Sequence, residues 1–353
     1  MIRIEMSSRE RLHALLTRKK PDRIPCMPFV LGYPARLSQI PLGDIYSKPE
    51  VCFKAHLMAW ERHGYDSIPF YSYASFGAWE LGGEIEFPYA DYHQAPIVTR
   101  TAIQTPDDVE RLTVPDPREA GIVPNMIEFA KICRRNNFPA VFFAGSPFNV
   151  GASAIGVERM MRWMIKEPDL LHLALKKITN FLIAIAQCFV AEFGAGNCIA
   201  LDGMGYDSNG LISSQQFYNF SLPYILEVHE RVLAMGVPAF ISHLCGDHNQ
   251  NLKYWKDIPC GNPGITTIAS QVDLESAIEI FGERHIIAGN LNTISILTET
   301  PEKVMEISRE TILKGKNNPA GFILMTECEL PPDTPPANVD AMVKAVREFG
   351  NLG

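Results

Sequence analysis

Several features are scarce or missing in this 353-residue sequence, and each absence removes a class of function. Basic residues are not in excess: 32 Lys and Arg stand against 40 Asp and Glu, a net charge of −8. No basic stretch exceeds the short Arg18-Lys19-Lys20 and Arg134-Arg135, which read as solvated surface. A nucleic-acid partner is therefore not expected, because binding to phosphate backbones needs a positive face. The longest uncharged apolar run, Ile178 to Ala191, spans 14 residues and includes Thr179, Asn180 and Gln187. That is too short for a bilayer span of about 20 residues, so no membrane partner is expected, and the run reads as the buried stripe of a long helix. Arg3, Glu5, Arg9 and Glu10 within the first ten residues rule against a secretory signal. The eight cysteines, at positions 26, 52, 133, 188, 198, 245, 260 and 328, have no disulfide-framework spacing. Reduced thiols and a cytoplasmic location are the expectation. Repeats, low-complexity tracts and linkers are also absent. With 46% hydrophobic and 20% charged residues, the composition fits one globular domain over residues 1–353, with an N-terminal helical extension.

What is present is an alternation of short apolar runs with helical sequence. Ser7 caps a helix to about Thr17, and an extended Ile24-Pro25-Cys26-Met27 follows. Helical patterns cover Pro49 to His63, Asn125 to Arg135, Val157 to Ile165, Asp169 to Phe193 and Ser213 to about Met235. Three more cover Asp273 to Phe281, Pro301 to Leu313 and Pro336 to Phe349. Gly77 to Ile97 has no helical period and reads as a hairpin or insertion at a cavity rim. Strands are predicted near residues 25, 68, 141, 200, 240, 266, 287 and 323. Eight such units predict a parallel (β/α)₈ TIM barrel, whose active site lies at the C-terminal ends of the strands.

Two strand ends carry soft ligands. Ile241-Ser242-His243-Leu244-Cys245-Gly246 follows one apolar run, and Thr326-Glu327-Cys328 follows another. Side chains two apart on a strand share a face, so His243 and Cys245 stand side by side. If Cys328 converges on them, one nitrogen and two sulfurs suit Zn²⁺ with a fourth position left open. The same triplet also fits ordinary buried cysteine, which behaves as a small hydrophobe. Other polar residues gather at strand ends: Ser146 and Asn149, Asp202 with Tyr206 and Asp207 close behind, and Asn290. Ser146 and Asn149 could equally cap the next helix. Glu327 is either a further ligand, a substrate contact or a solvent-facing acid. His248 and Cys260 read as helix-face and loop residues, since Cys245 and Cys260 lack the second doublet of a zinc ribbon.

Motifs along nearly the whole chain resemble the uroporphyrinogen decarboxylase superfamily, and within it the zinc-containing methylcobalamin:thiol methyltransferases. They begin with Arg9-Glu10-Arg11 through Pro21-Asp22-Arg23-Ile24-Pro25. They continue through Phe143-Ala144-Gly145-Ser146-Pro147-Phe148, Leu201-Asp202-Gly203, and Ser213 to Tyr224. The last are His243-Leu244-Cys245-Gly246, Ala288-Gly289-Asn290-Leu291, Cys328-Glu329-Leu330-Pro331-Pro332-Asp333-Thr334-Pro335 and Asn338 to Met342. The resemblance implies a TIM barrel with Zn²⁺ on His243, Cys245 and Cys328 and a substrate thiol at the free position. It implies methyl transfer between a methyl–Co(III) corrinoid and a small acceptor or donor. Asp202 is then the expected catalytic residue. Ser146, Asn149, Tyr206, Asn290 and Glu327 are the expected contacts for substrate or corrinoid.

The chain departs from the family pattern in places. Where the decarboxylases have an Arg-rich segment meeting substrate carboxylates, Met27 to Arg36 keeps only Arg36. That counts against the rival activity, porphyrinogen decarboxylation. Asn292 stands where relatives often carry Asp, and Glu327 where they commonly have Gly. No D-x-H-x-x-G corrinoid-binding motif occurs, so methylcobalamin or another corrinoid is expected free or on a separate protein. A demethylase running the methyl group onto Co(I), and a non-enzymatic docking protein for a corrinoid carrier, are further alternatives.

Overall fold

The computed structural model describes residues 5–89 and 95–352. Its centre is a six-stranded parallel sheet formed by Ala140–Phe143 (β3), Cys198–Met204 (β4), Phe240–Leu244 (β5), Gly264–Ile268 (β6), His285–Leu291 (β7) and Phe322–Thr326 (β8), hydrogen-bonded in that order. An antiparallel hairpin, Glu84–Glu86 (β1) with Ile97–Arg100 (β2), stands apart from it. The stretch predicted as hairpin or insertion, Gly77 to Ile97, holds β1 and the start of β2, which runs three residues past it; residues 90–94 lie outside the described residues.

The two strands expected near residues 25 and 68 are not regular strands, although extended chain occupies both positions. Cys26 bridges Leu324 in parallel, with Met27 N–H on the Leu324 carbonyl at 2.9 Å and Leu324 N–H on the Pro25 carbonyl at 2.9 Å. Asp66 N–H in turn binds the Cys26 carbonyl at 2.6 Å. Pro25, Pro28 and Pro69 have no N–H to give, so a ladder cannot continue through them. The architecture is a TIM barrel with two irregular staves.

Helices cover the sheet as the sequence pattern predicts. Pro49–His63 and Pro336–Phe349 have the predicted bounds, and Ser8–Leu16 begins at Ser7 with a capping box to Glu10. The helical pattern from Ser213 to Met235 divides into Ser214–Phe220 and Leu222–Ala234. Pro223 opens the second helix, and Ser221 at the break turns its hydroxyl to Asp207 at 2.6 Å. Pro168–Phe193 is long and apolar enough to cross a membrane by length and composition, yet 61% of its most apolar window is buried, packed on β3 and β4.

The N-terminal helix is tied to the barrel wall. Arg11, 2% exposed, meets Asp22 at 2.7 Å and Asp66 at 2.6 Å, while Arg23 reaches Asp66 at 3.0 Å. Leu12 and Leu15 join the core beneath. Removing one partner of such a buried ionic cluster costs about 3–5 kcal/mol, because the others stay charged in low dielectric.

Candidate metal and substrate site

Alternation along the strands decides what faces the barrel interior. Leu201 and Gly203 on β4, His243 on β5 and Thr267 on β6 lie on the inner face, with Gly203 opposite His243 and His243 opposite Thr267. β5 runs further than its apolar run suggests, so His243 sits inside the strand, one residue before its end. Cys245 comes two residues on and keeps the same face. Gly246 then turns the chain at φ +88°, a region that side chains other than glycine rarely adopt.

Cys328, just beyond β8, closes the group. Its Sγ lies 3.7 Å from Cys245 Sγ, and the ligand atoms of His243, Cys245 and Cys328 are all within 4.8 Å of one another. Among the described residues this is the one cluster of its kind. Two sulfurs at about 2.3 Å from a tetrahedral ion stand roughly 3.8 Å apart, which matches the sulfur spacing. The imidazole is prepared for the same task. Its Nδ1 pairs with Thr267 Oγ1 at 2.6 Å, and Phe29 packs edge-on at 4.9 Å between centroids. With Nδ1–H donating to Thr267, Nε2 carries the free lone pair; it is buried and has no hydrogen-bond partner among the described residues. A hydrogen-bond partner behind the ring that can accept from Nδ1–H is the usual companion of a metal-binding histidine. The thiols are coupled: one S–H donates to the other sulfur, so Cys245 is held below the ordinary thiol range. The Cys328 thiol is pushed up by that contact and by burial. A divalent cation resolves this, because it lets both sulfurs be thiolates. The residues present fit Zn²⁺.

Beside the triad opens a cavity of about 330 Å³. Its walls are aromatic and aliphatic, with Phe29, Phe70, Tyr73, Phe143, Tyr206 and Leu211 prominent. Glu329 also lines it. Glu329 Oε1 accepts from Gly32 N–H at 2.7 Å and Tyr46 Oη–H at 2.9 Å, while Oε2 takes no hydrogen bond from the described residues. Burial pushes this carboxyl up to about 7, against the lowering effect of those two donors.

The other expected site residues are drawn into the scaffold. Asp202 alternates with Leu201 and Gly203, so its side chain leaves the inner face and meets His229 Nε2 at 2.5 Å in the helix layer. His229 is fully buried, stacks on Phe240 at 3.8 Å and uses Nδ1 on the Pro259 carbonyl. Burial alone would lower the imidazole, but the Asp202 charge and hydrogen bond outweigh it and raise it to about 10. Asp202 Oδ2 is thus half of a buried ion pair, while Oδ1 is buried with no hydrogen-bond partner among the described residues, and the residue is among those bordering the cavity. Cys260 lies beside that pair, 3.9 Å from His229 Nδ1.

Ser146 caps the helix Pro147–Ile155 and donates to Asp207 Oδ2 at 2.9 Å. Asn149 Oδ1 accepts from the N–H groups of Gly205 and Tyr206, both at 3.1 Å, and holds the loop after β4 against the cavity. Asn149 and Tyr206 do line the cavity, whereas Ser146 does not. Asn290 gives its amide to the carbonyls of Ala269 and Val272 at 3.3 and 3.0 Å. Glu327 is buried and lies outside the cluster of His243, Cys245 and Cys328. It accepts from Ser270 N–H at 2.8 Å, Thr293 N–H at 3.1 Å and Asn292 Nδ2–H at 2.7 Å, tying three loops together. The two departures from the family pattern, Asn292 and Glu327, are thus partners. His248 is buried in the loop after β5, with Nε2 on the Met204 carbonyl at 3.2 Å. Arg36 faces outward and pairs with Asp333 at 2.9 Å. Thr267, Glu329 and the aromatic wall carry no signal of their own in the sequence beyond their places at strand ends.

The uroporphyrinogen decarboxylase (URO-D) family model matches residues 7–349. The chain belongs to the URO-D family. It is an enzyme of a family that holds both decarboxylases and methyltransferases. The "Methylated-thiol--coenzyme M methyltransferase" of Methanosarcina mazei is 29% identical over 76% of this chain and 68% of that protein. The methylcobamide:CoM methyltransferase MtaA of Methanosarcina barkeri is 26% identical over 98% and 99%. The uroporphyrinogen decarboxylase of Proteus mirabilis is 26% identical over 71% and 70%. A solved methyltransferase from Methanosarcina mazei shares the fold, with a TM-score of 0.81 at 24% identity, covering 98% of this chain and 99% of that one.

Proposed function

We propose that this URO-D family member is a zinc-dependent methyltransferase, moving a methyl group between a corrinoid and a small thiol. The observation that carries the reading is the convergence of His243 Nε2, Cys245 Sγ and Cys328 Sγ at the barrel mouth, with Nε2 buried and unpartnered among the described residues. The methyltransferase names of relatives spanning most of the chain support it.

Zn²⁺ on those three ligands supplies the Lewis acidity that keeps a substrate thiol deprotonated at neutral pH, where a free thiol with a pKa near 8.5 is mostly protonated. The chain's own part is placement. Thr267 fixes the imidazole, Gly246 lets the loop after β5 turn away, and the aromatic walls exclude water from the sulfur. The substrate thiolate attacks the methyl carbon in line. An S–C bond forms as the C–Co bond breaks, and the electron pair of the broken bond stays on cobalt as Co(I). The thiol proton leaves to solvent. The corrinoid arrives free or on a separate protein, since this chain has no corrinoid-binding motif. The reduced cysteines fit a cytoplasmic setting.

Loss of methylcobalamin absorbance with a panel of thiols, before and after chelation, tests this. Turnover that requires about one zinc per chain supports it; metal-free protein that decarboxylates a porphyrinogen overturns it. Methylation of Co(I) by methylated donors, without the forward reaction, would reverse the direction. The decarboxylase reading has little to recommend it here, because no Lys or Arg among the described residues lines the cavity to meet a substrate's carboxylates.

A further inference from the structure

We propose that the small substrate of this site carries a positively charged tail and not an anionic one, an inference that rests on the methyl-transfer reading above. Three features of the cavity lead there. First, its wall holds no Lys or Arg among the described residues, and its one imidazole, His243, faces the cysteines. A sulfonate or carboxylate tail would lose its hydration and meet no countercharge, a costly transfer. Nor does the metal supply one, since two thiolates cancel the charge of a divalent cation. Second, Asp202 is paired in charge with His229, although its Oδ1 has no hydrogen-bond partner among the described residues, whereas Glu329 has no cationic partner there: its Oε1 is anchored by Gly32 and Tyr46 and its Oε2 takes no hydrogen bond from the described residues. That oxygen can take a hydrogen bond from an ammonium group. Third, Phe29, Phe70, Tyr73 and Tyr206 offer ring surface around the same space. Aromatic faces beside a carboxylate attract organic cations. The thiol end goes to the metal held by His243, Cys245 and Cys328, and the cationic end lies among the rings and Glu329.

Three thiols of equal length separate the charges: 2-mercaptoethylamine, 2-mercaptoethanol and 2-mercaptoethanesulfonate. Calorimetric titration of the zinc-loaded protein at about pH 8 should rank them cationic, neutral, anionic, with the two ends about tenfold or more apart, as expected for one ion pair at moderate effective dielectric. Glu329→Gln, which keeps an acceptor for Gly32 and Tyr46, should bring the cationic thiol down to the level of the neutral one. Phe70→Leu should weaken the cationic thiol more than the neutral one. Tightest binding by the sulfonate, or an order untouched by Glu329→Gln, overturns the proposal even if methyl transfer is observed. The expected order with no methylation of any thiol leaves the charge preference standing and sinks the methyl-transfer reading. Failure of all three thiols to bind sinks both.

Discussion

Two buried histidines on neighbouring parts of the barrel show how the same side chain serves two ends. His229, in the helix layer, has both nitrogens engaged, Nδ1 by a carbonyl and Nε2 by Asp202. His243, on the inner face of β5, has Nδ1 engaged by Thr267 and Nε2 left bare beside two sulfurs. A satisfied polar group is scaffold, whereas a buried lone pair facing other ligands asks for a partner. The comparison therefore divides the polar residues of the strand ends into those that hold the barrel and those that hold a ligand.

The sharpest way to break that division is to remove ligands from the inner group. Cys245→Ala or Cys328→Ala should abolish stoichiometric zinc after dialysis, a loss well beyond the roughly 100-fold worth of a hydrogen-bond partner behind a ligand, and methyl transfer should go with it. Unfolding of the metal-free protein should change little, because both cysteines are only partly buried. The outer group should respond in the opposite sense. Asp202→Asn or His229→Ala should cost about 3–5 kcal/mol in denaturant melts, by leaving an unpaired buried group, while the folded fraction keeps its zinc.

The outer pair also has a pH signature. His229 is raised to about 10 in the fold, so its contribution to stability is complete below the ordinary histidine value near 6.5 and declines as pH rises toward 10. Asp202→Asn should flatten that part of the stability–pH profile. An unchanged slope would contradict the ion pair. A smaller effect is expected behind the inner imidazole: Thr267→Val should leave the fold intact but weaken zinc affinity about 10–100-fold, measured by competition with a chelator. The smallest concerns Asn292. Asn292→Asp replaces a donor to Glu327 by a second carboxylate and should destabilise by about 1–3 kcal/mol without altering metal content.

Much of this division is legible in the local pattern of the chain. His243 and Cys245 stand out as a pair because strand alternation is local, and their glycine neighbour marks the turn that follows. The eight-fold alternation is equally local, although Pro25, Pro28 and Pro69 keep two staves from becoming regular strands. Alternation also places Asp202 off the face shared by Leu201 and Gly203. What it could not supply is the partner, since His229 arrives from a helix 27 residues further along. Glu327 illustrates the same limit. An acid beside a candidate ligand cysteine suggests chemistry, but its donors come from the loops after β6 and β7, which only tertiary packing brings together. Thr267 and Glu329 stayed hidden for that reason too.

The most direct test of the account is an anomalous difference map at the zinc absorption edge, from crystals grown with zinc. The account predicts one peak per chain within bonding distance of His243 Nε2, Cys245 Sγ and Cys328 Sγ, with a fourth position open to the cavity. A map without that peak, or with the ion held by other residues, would contradict it.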